Sequence, residues 1–153
     1  MYIIDIEASG LDTASYPIEI AYLNLATGES DEFLINPASA TGWDYWSEEA
    51  EVIHGISRDR LSRWGISLYE AYCRLDALSD KQVFSDATPY DEYWLSRIYE
   101  EVGEKPRYLL KDLSSVIATD RREAWQQEME TIARPHRAMA DVDVLASLVR
   151  KYL

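Results

Sequence analysis

The stretch Tyr2-Ile3-Ile4-Asp5-Ile6-Glu7-Ala8-Ser9-Gly10-Leu11 opens the chain and sets two acids into an otherwise apolar segment. The residues from 2 to 6 predict a short buried strand. Side chains two positions apart on a strand point to the same face, so Asp5 and Glu7 are expected to lie side by side. Unpaired buried carboxylates are costly, and this pair therefore needs a cation or strong hydrogen bonds. A strand with one solvent-exposed face is the alternative interpretation.

The rest of the chain alternates helical and extended patterns. Two further strands are predicted early, over residues 17–25 and 31–35, followed by short strands at 82–85 and 108–110. The spacing of apolar residues predicts helices over residues 48–53, 67–78, 91–102, 121–133 and 139–152. This order predicts an α/β fold with a mixed sheet of about five strands flanked by helices. No linker or repeat divides the chain, so residues 1–153 are expected to form a single domain.

The charge balance restricts the class of ligand. Fifteen basic residues against 28 acidic ones give a net charge of −13. Long nucleic acids are held mainly by Lys and Arg, so this chain should bind long duplexes poorly. Bound divalent cations, or contact with only a few nucleotides at an end, would relieve the repulsion. Solubility alone is the other explanation for the charge.

Location is predicted from what the sequence lacks. No window approaches the roughly 18 consecutive apolar residues that span a membrane, and the N-terminus has no signal-peptide pattern. Cys73 is the only cysteine, which excludes an internal disulfide and suits a reducing compartment. We therefore expect a cytoplasmic protein without membrane association, with Cys73 as a small core residue.

Two more acids are predicted to face the core from helix starts. Asp91 is followed by Leu95, Ile98 and Val102 at helical spacing, which places it at the head of an apolar stripe. Asp141 shows the same spacing, whereas its neighbour Asp143 falls on the solvent side. Acids in a first turn are also explained by capping and by the helix dipole, and these alternatives stay open.

His136 follows Pro135 and precedes Asp141 by five residues, so it is expected in the loop before the last helix. Histidine suits proton transfer near neutral pH. Several converging carboxylates favour hard cations such as Mg²⁺ or Mn²⁺, and two such ions can hydrolyse a phosphodiester.

Three segments of the chain resemble the three motifs of the DEDDh family of 3'-to-5' exonucleases, in the family's order. The first is Ile4-Asp5-Ile6-Glu7-Ala8-Ser9-Gly10-Leu11, the second is Tyr90-Asp91-Glu92-Tyr93-Trp94-Leu95, and the third is His136-Arg137-Ala138-Met139-Ala140-Asp141. A fourth segment, Val52-Ile53-His54-Gly55-Ile56-Ser57, resembles the family's His-Gly-Ile segment. The resemblance thus covers essentially the whole chain.

The resemblance implies a ribonuclease-H-like fold and a metal-dependent 3'-to-5' exonuclease. Asp5, Glu7 and Asp141 would ligate one Mg²⁺ or Mn²⁺, and Asp5 would also reach a second. Asp91 would hold metal-bound waters, and His136 would be the general base. The terminal base would pack against Leu11.

Further residues are predicted to contact the substrate. Ser9 keeps a hydroxyl where the family often has Thr. The resemblance places His54 in a substrate-side loop, and a purely structural role is the alternative. Tyr90 is a candidate for stacking on a base, together with Tyr45 and Trp46. Arg134 and Arg137 bracket His136, where they would either hold phosphates or lie solvated at the surface.

One departure from the family bears on the metal site. Asp86 stands where the family often has Asn, so Asp86 would either assist metal binding or replace Asp91 as the ligand. The helix register favours Asp91.

The predicted partner is the 3' end of a single-stranded nucleic acid, DNA or RNA. A non-catalytic end-binding module of the same fold and a phosphoesterase of very short oligonucleotides are the alternatives. The oligomeric state stays open, a homodimer included.

Overall fold

A computed structural model describes residues 1–153 and contains a five-stranded mixed sheet. The strands, in chain order, are β1 (Tyr2–Ala8), β2 (Pro17–Asn24), β3 (Ser30–Leu34), β4 (Val83–Ser85) and β5 (Leu110–Asp112). Their order across the sheet is β3-β2-β1-β4-β5, with β1 in the centre. The strand β1 pairs antiparallel with β2 and parallel with β4, and β5 continues the sheet in parallel with β4. The carboxyl ends of β1, β4 and β5 therefore lie at one edge.

Six helices flank this sheet. They are α1 (Glu48–His54), α2 (Arg58–Trp64), α3 (Leu68–Asp76), α4 (Thr88–Glu101), α5 (Arg122–Thr131) and α6 (Ala138–Tyr152). Serine side chains at positions 47, 57 and 67 cap the first three helices by accepting a backbone hydrogen bond from the first turn. None of the six combines the length and apolar character that a bilayer crossing needs.

Each face of the sheet carries its own hydrophobic core. Ile4 and Ile6 of β1 belong to the larger core, which includes residues of α3 and α4. Ile3 belongs to the smaller core, which α5 and α6 cover. Because alternate residues of a strand point to opposite faces, Asp5 and Glu7 share the face of Ile3, toward α6. This alternation brings the two acids of β1 next to the start of α6.

The predicted elements are present with shifted bounds, and one helix was not predicted. The helix α4 begins at Thr88 rather than residue 91, because Pro89 is well suited to a first helical turn. The strand β5 lies at Leu110–Asp112, two residues later than predicted. The helix α2 escaped prediction because Leu61 is its only buried residue, which leaves no apolar period to detect.

The prediction of a core position for Cys73 was wrong. The helix α3 buries Leu68, Ala71 and Leu75, which share one face at helical spacing, and Cys73 lies on the exposed side.

Candidate metal centre and nucleotide cavity

Carboxylates from four elements converge at the carboxyl edge of β1 and β4. Asp5 and Glu7 come from β1, and Asp86 follows directly after β4. Asp91 and Asp141 project from the first turns of α4 and α6, and each is only 2% exposed. Their neighbour Asp143 is exposed, as its register predicts. The sheet order and the two helix starts thus concentrate acids that are far apart in sequence.

Asp91 is a buried side chain of the site and not a helix cap. The helix α4 begins three residues earlier, after Ala87, and its N-terminus has no side-chain cap. The hydroxyl of Ser85 donates a short hydrogen bond to the Asp91 carboxylate. Burial raises the pKa of Asp91 from its usual 3.8 to about 8.

The pKa values of the two acids of β1 are raised as well. Burial, reinforced by Asp91, Glu7, Asp141 and Asp86, raises the pKa of Asp5 well above its usual range. Burial and the nearby charges of Asp141 and Glu19 raise the pKa of Glu7 from 4.5 to about 7. The site therefore favours a positive charge, either protons or a cation, among its carboxylates.

The donor atoms fit a divalent cation. Glu7, His136 and Asp141 each offer one ligand atom, and these three atoms lie within 4.8 Å of one another. The oxygens Asp5 Oδ2 and Asp141 Oδ1 are buried without a hydrogen-bond partner. Buried, unsatisfied carboxylate oxygens are costly unless a ligand completes them. A set dominated by carboxylate oxygens is typical of Mg²⁺ and Mn²⁺ sites.

His136 lies in the loop between α5 and α6, as predicted, and is exposed. Its backbone adopts the left-handed conformation, with φ at 56°. Residues other than glycine rarely adopt this conformation, and it tends to occur at functional sites. The imidazole borders both the acid cluster and the adjoining cavity.

Arg134 enters the acid cluster, and sequence reasoning did not predict this position. Its Nη1 lies 2.6 Å from Asp86 Oδ2, its Nη2 lies 3.2 Å from Asp5 Oδ1, and its Nε lies 3.3 Å from Asp141 Oδ1. The guanidinium therefore bridges three acids instead of facing solvent or a phosphate site. Asp86 and Asp91 thus have different environments, since Asp86 pairs with Arg134 and Asp91 lines the cavity.

The structure also corrects the position predicted for Arg137. Its guanidinium donates three hydrogen bonds to the buried carboxylate of Glu19 in β2, at 2.7–3.1 Å, and does not line the cavity. Glu19 also accepts a bond from the backbone N–H of Ala138, so it anchors the start of α6. Glu19 was not singled out from the sequence, although an acid between Ile18 and Ile20 repeats the signal that identified Asp5.

A cavity of about 310 Å³ adjoins the acid cluster. Three of the five predicted substrate-side residues line it, namely Leu11, His54 and Tyr90, together with Asp5, Glu7, Asp91 and His136. Leu11 is 81% exposed and Tyr90 is 55% exposed, so apolar surface faces solvent beside the carboxylates. Tyr45 and Trp46 do not line the cavity.

His54 lines the cavity, and a backbone hydrogen bond fixes the tautomer of its ring. Its Nδ1 accepts a hydrogen bond from the backbone N–H of Ile56 at 3.0 Å, so in the neutral ring Nε2 carries the proton. Burial lowers the pKa of His54, which favours this neutral form. The Nε2 atom is buried and has no partner.

Ser9 stabilises the loop after β1, which carries Leu11. It is fully buried, and its hydroxyl accepts a hydrogen bond from the backbone N–H of Tyr16 at 3.1 Å. Its carbonyl accepts a bond from Ser47 N–H, which ties the loop after β1 to the segment before α1. Ser9 therefore holds the loop that carries Leu11 and does not itself line the cavity.

Comparisons with known proteins place the fold. No family model matches the sequence, and no curated protein matches it. Among solved structures, E. coli exonuclease I in complex with a dA16 oligonucleotide is 19% identical, with a TM-score of 0.76 over 99% of this chain and 40% of that chain. The zinc-bound E. coli exonuclease I complex with single-stranded DNA is 17% identical, with a TM-score of 0.75 over 97% of this chain and 39% of that chain. An exonuclease I from Methylocaldum szegediense is 18% identical, with a TM-score of 0.69 over 98% of this chain and 40% of that chain.

The chain therefore spans about 40% of the length of the exonuclease I chains that it matches. The predicted fold class is confirmed: the chain has the α/β, ribonuclease-H-like arrangement of a five-stranded mixed sheet flanked by helices.

Proposed function

We propose that residues 1–153 act as a single exonuclease domain that hydrolyses phosphodiester bonds from the 3' end of single-stranded DNA or RNA. The reaction depends on a divalent cation, Mg²⁺ or Mn²⁺. The observation that carries this proposal is the shared cavity, in which Asp5, Glu7, Asp91 and His136 border the same space as the exposed side chains Leu11 and Tyr90. Carboxylates that can bind a cation thus adjoin an apolar surface that can bind a nucleobase.

The acids hold the cation in this proposal. Glu7 and Asp141 supply oxygens beside His136, and Asp5 supplies its unpaired Oδ2. When bound, Mg²⁺ or Mn²⁺ polarises a phosphodiester and makes water a better nucleophile. Asp91, whose carboxylate accepts a hydrogen bond from Ser85, would orient water bound to that cation.

His136 serves as the general base. It takes a proton from the attacking water, which is the role that imidazole fills near neutral pH. Its exposed position at the rim lets it pass that proton to solvent after each cleavage.

The cavity selects an unpaired end. Its volume of about 310 Å³ lies at the lower limit of small-ligand pockets, which run from about 300 to 1,000 Å³, and suits one nucleotide rather than a duplex. The terminal base packs between Leu11 and Tyr90, since bases stack on aromatic and apolar side chains. His54 Nε2 donates a hydrogen bond to the same nucleotide.

The solved structures support the choice of a single strand. Exonuclease I of E. coli has been captured with dA16 and dT13 oligonucleotides. At 17–19% identity this likeness concerns the fold, and the substrate of the present chain is our proposal.

The test uses a 5'-labelled single-stranded oligomer, as DNA and as RNA, in Mg²⁺, Mn²⁺ or chelator. We expect a metal-dependent ladder that shortens from the 3' end. Asp141→Asn should abolish the ladder, whereas Asp143→Asn, a matched change on the exposed side of α6, should leave it intact. Metal binding by folded protein without any cleavage would instead support a non-catalytic end-binding module.

A phosphoesterase of very short oligonucleotides is the second candidate. The small cavity and the net charge of −13 favour it, because an acidic surface repels long polyanions. Comparing kcat/KM for a dinucleotide with that for a longer oligomer separates the two. A dinucleotide preference would select the second candidate.

A further inference from the structure

The guanidinium of Arg134 occupies the interior of the acid cluster. Its side chain is 20% exposed, and its three nitrogens lie within 3.3 Å of Asp86, Asp5 and Asp141. The pairs with Asp86 and Asp5 have hydrogen-bond geometry, whereas the approach of Nε to Asp141 does not. One permanent cation thus sits among carboxylates from β1, from the segment after β4, and from α6.

The acids accordingly divide into two sets. Asp5, Asp86 and Asp141 surround Arg134, while the ligand atoms of Glu7, His136 and Asp141 lie within 4.8 Å of one another. Glu7 and His136 form no ion pair with the guanidinium. Asp141 belongs to both sets. A divalent ion needs oxygen ligands at about 2.0–2.2 Å, so it cannot share the space between Asp5, Asp86 and Asp141 with the guanidinium.

We propose that Arg134 is a resident cation that fills one of the two cation positions of this site. The chain then binds one divalent ion, held by Glu7, Asp141 and the unpaired Oδ2 of Asp5 beside His136, where the family resemblance implies two. This inference rests on the proposed function and specifies its cofactor requirement.

The chemistry of the guanidinium explains why Arg134 remains bound among the acids. Arginine cannot lose its charge in a protein, and its planar fork matches carboxylates in a way that lysine does not. The 2.6 Å contact with Asp86 anchors it. Asp86 is also the position where the resemblance expects Asn, so the additional acid is the one that pairs most closely with Arg134. The guanidinium places a fixed positive charge among Asp5, Asp86 and Asp141, which supplies part of the charge neutralisation that a second metal would give these acids.

The test counts bound Mn²⁺ by electron paramagnetic resonance while the full chain is titrated. Wild type should bind one Mn²⁺ per chain, and Arg134→Lys, which keeps the charge, should also bind one. Arg134→Gln should bind two, because the oxygens of Asp5, Asp86 and Asp141 are released. The matched control Arg150→Ala, on the exposed surface of α6, should bind one.

Two Mn²⁺ per wild-type chain would overturn the inference and leave the proposed function standing. An unchanged count of one in Arg134→Gln would also overturn it. No Mn²⁺ bound to wild type would remove the metal-dependent function together with the inference. Should Arg134→Gln fail to fold, the double variant Asp86→Asn/Arg134→Gln removes the charge pair together, and we expect it to bind two ions.

Discussion

Among single residues, His136 combines the proposed general base with an unusual backbone. Its φ of 56° is tolerated by Asn more readily than by Ala, because a short polar side chain can bond locally. We expect both His136→Asn and His136→Ala to lower kcat by about 10²–10⁴-fold through loss of the base. We further expect His136→Ala to be less stable than His136→Asn by about 1 kcal/mol.

Cleavage rates and thermal unfolding of the two variants check this prediction. Equal stabilities would mean that the loop relaxes and carries no backbone strain. Retained cleavage in both would assign the base to another residue.

The two ring nitrogens of His54 have different predicted roles, and substitutions can test them separately. Nδ1 holds the backbone, and Nε2 is proposed to bind the substrate. Asn at this position keeps an acceptor near Nδ1 for Ile56 N–H, whereas Gln places a polar group near Nε2. If Nε2 binds the substrate, His54→Asn should raise KM by about three- to tenfold, the value of one net hydrogen bond. His54→Gln should raise KM less and lower the melting temperature more. The reverse order would show that His54 acts only through the backbone.

The origin of each site residue explains which could be predicted. Asp5 and Glu7 followed from strand periodicity, and Asp91 and Asp141 from helix register, since these are local rules that relate spacing to a face. The partners of Arg134 and Arg137 could not be predicted in this way. Asp86 is 48 residues from Arg134, and Glu19 is 118 residues from Arg137. Only the assembled sheet brings those charges together, and both arginines were therefore assigned to phosphates or to the surface.

At the scale of elements, the loop after β1 depends on a close approach at Gly10. A Cβ added there would lie 2.8 Å from Tyr45 Cε1, 3.0 Å from Ser47 Cβ and 3.1 Å from Ser15 Oγ. We expect Gly10→Ala to push the loop away from the segment before α1, at a cost of about 1–3 kcal/mol. Leu11 would move with the loop, so KM should also rise.

The matched control is Gly28→Ala in the turn between β2 and β3. Gly28 has a φ of 76° and open space around its Cα, so the change should cost about 1 kcal/mol and leave KM unaltered. Denaturant unfolding and steady-state kinetics measure both effects. A normal KM in Gly10→Ala would show that the position of Leu11 is not set by this contact.

Element prediction succeeded where apolar periodicity was strong and failed where it was weak. The helix α6 presents buried residues along its whole length, and its predicted start was off by one position. The helix α2 has a serine cap but a polar surface, and a cap signal without an apolar stripe was insufficient to predict it.

For the molecule as a whole, the acid cluster links stability to pH. In the absence of metal, the pKa of Glu7 is about 7 and that of Asp91 about 8, both above their usual values of 4.5 and 3.8. A group with a raised folded-state pKa stabilises the fold fully below its unfolded pKa, and that contribution is lost as pH rises through the folded value. The metal-free chain should therefore lose stability between about pH 4 and pH 8.

A divalent cation should counteract the loss of stability at high pH, because it binds the ionised carboxylates. We expect the rise in melting temperature caused by Mg²⁺ or Mn²⁺ to be small near pH 5 and large near pH 9. Asp91→Asn should flatten the pH dependence in chelator. A metal-induced shift that is equal at both pH values would argue against a cation bound among these acids.

The placement of β1 beside α6 also has a kinetic consequence. Asp5 and its partner Arg134 are 129 residues apart, so the site closes a loop of nearly the whole chain. An unfolded or half-folded chain has no such site, and the cation can join only after the ends have met. We therefore expect bound metal to slow unfolding and, if the site forms after the transition state, to leave the folding rate almost unchanged. The ion would act as a removable cross-link between the first strand and the last helix. The unfolding rate would then report what fraction of the chains carries the metal that cleavage requires.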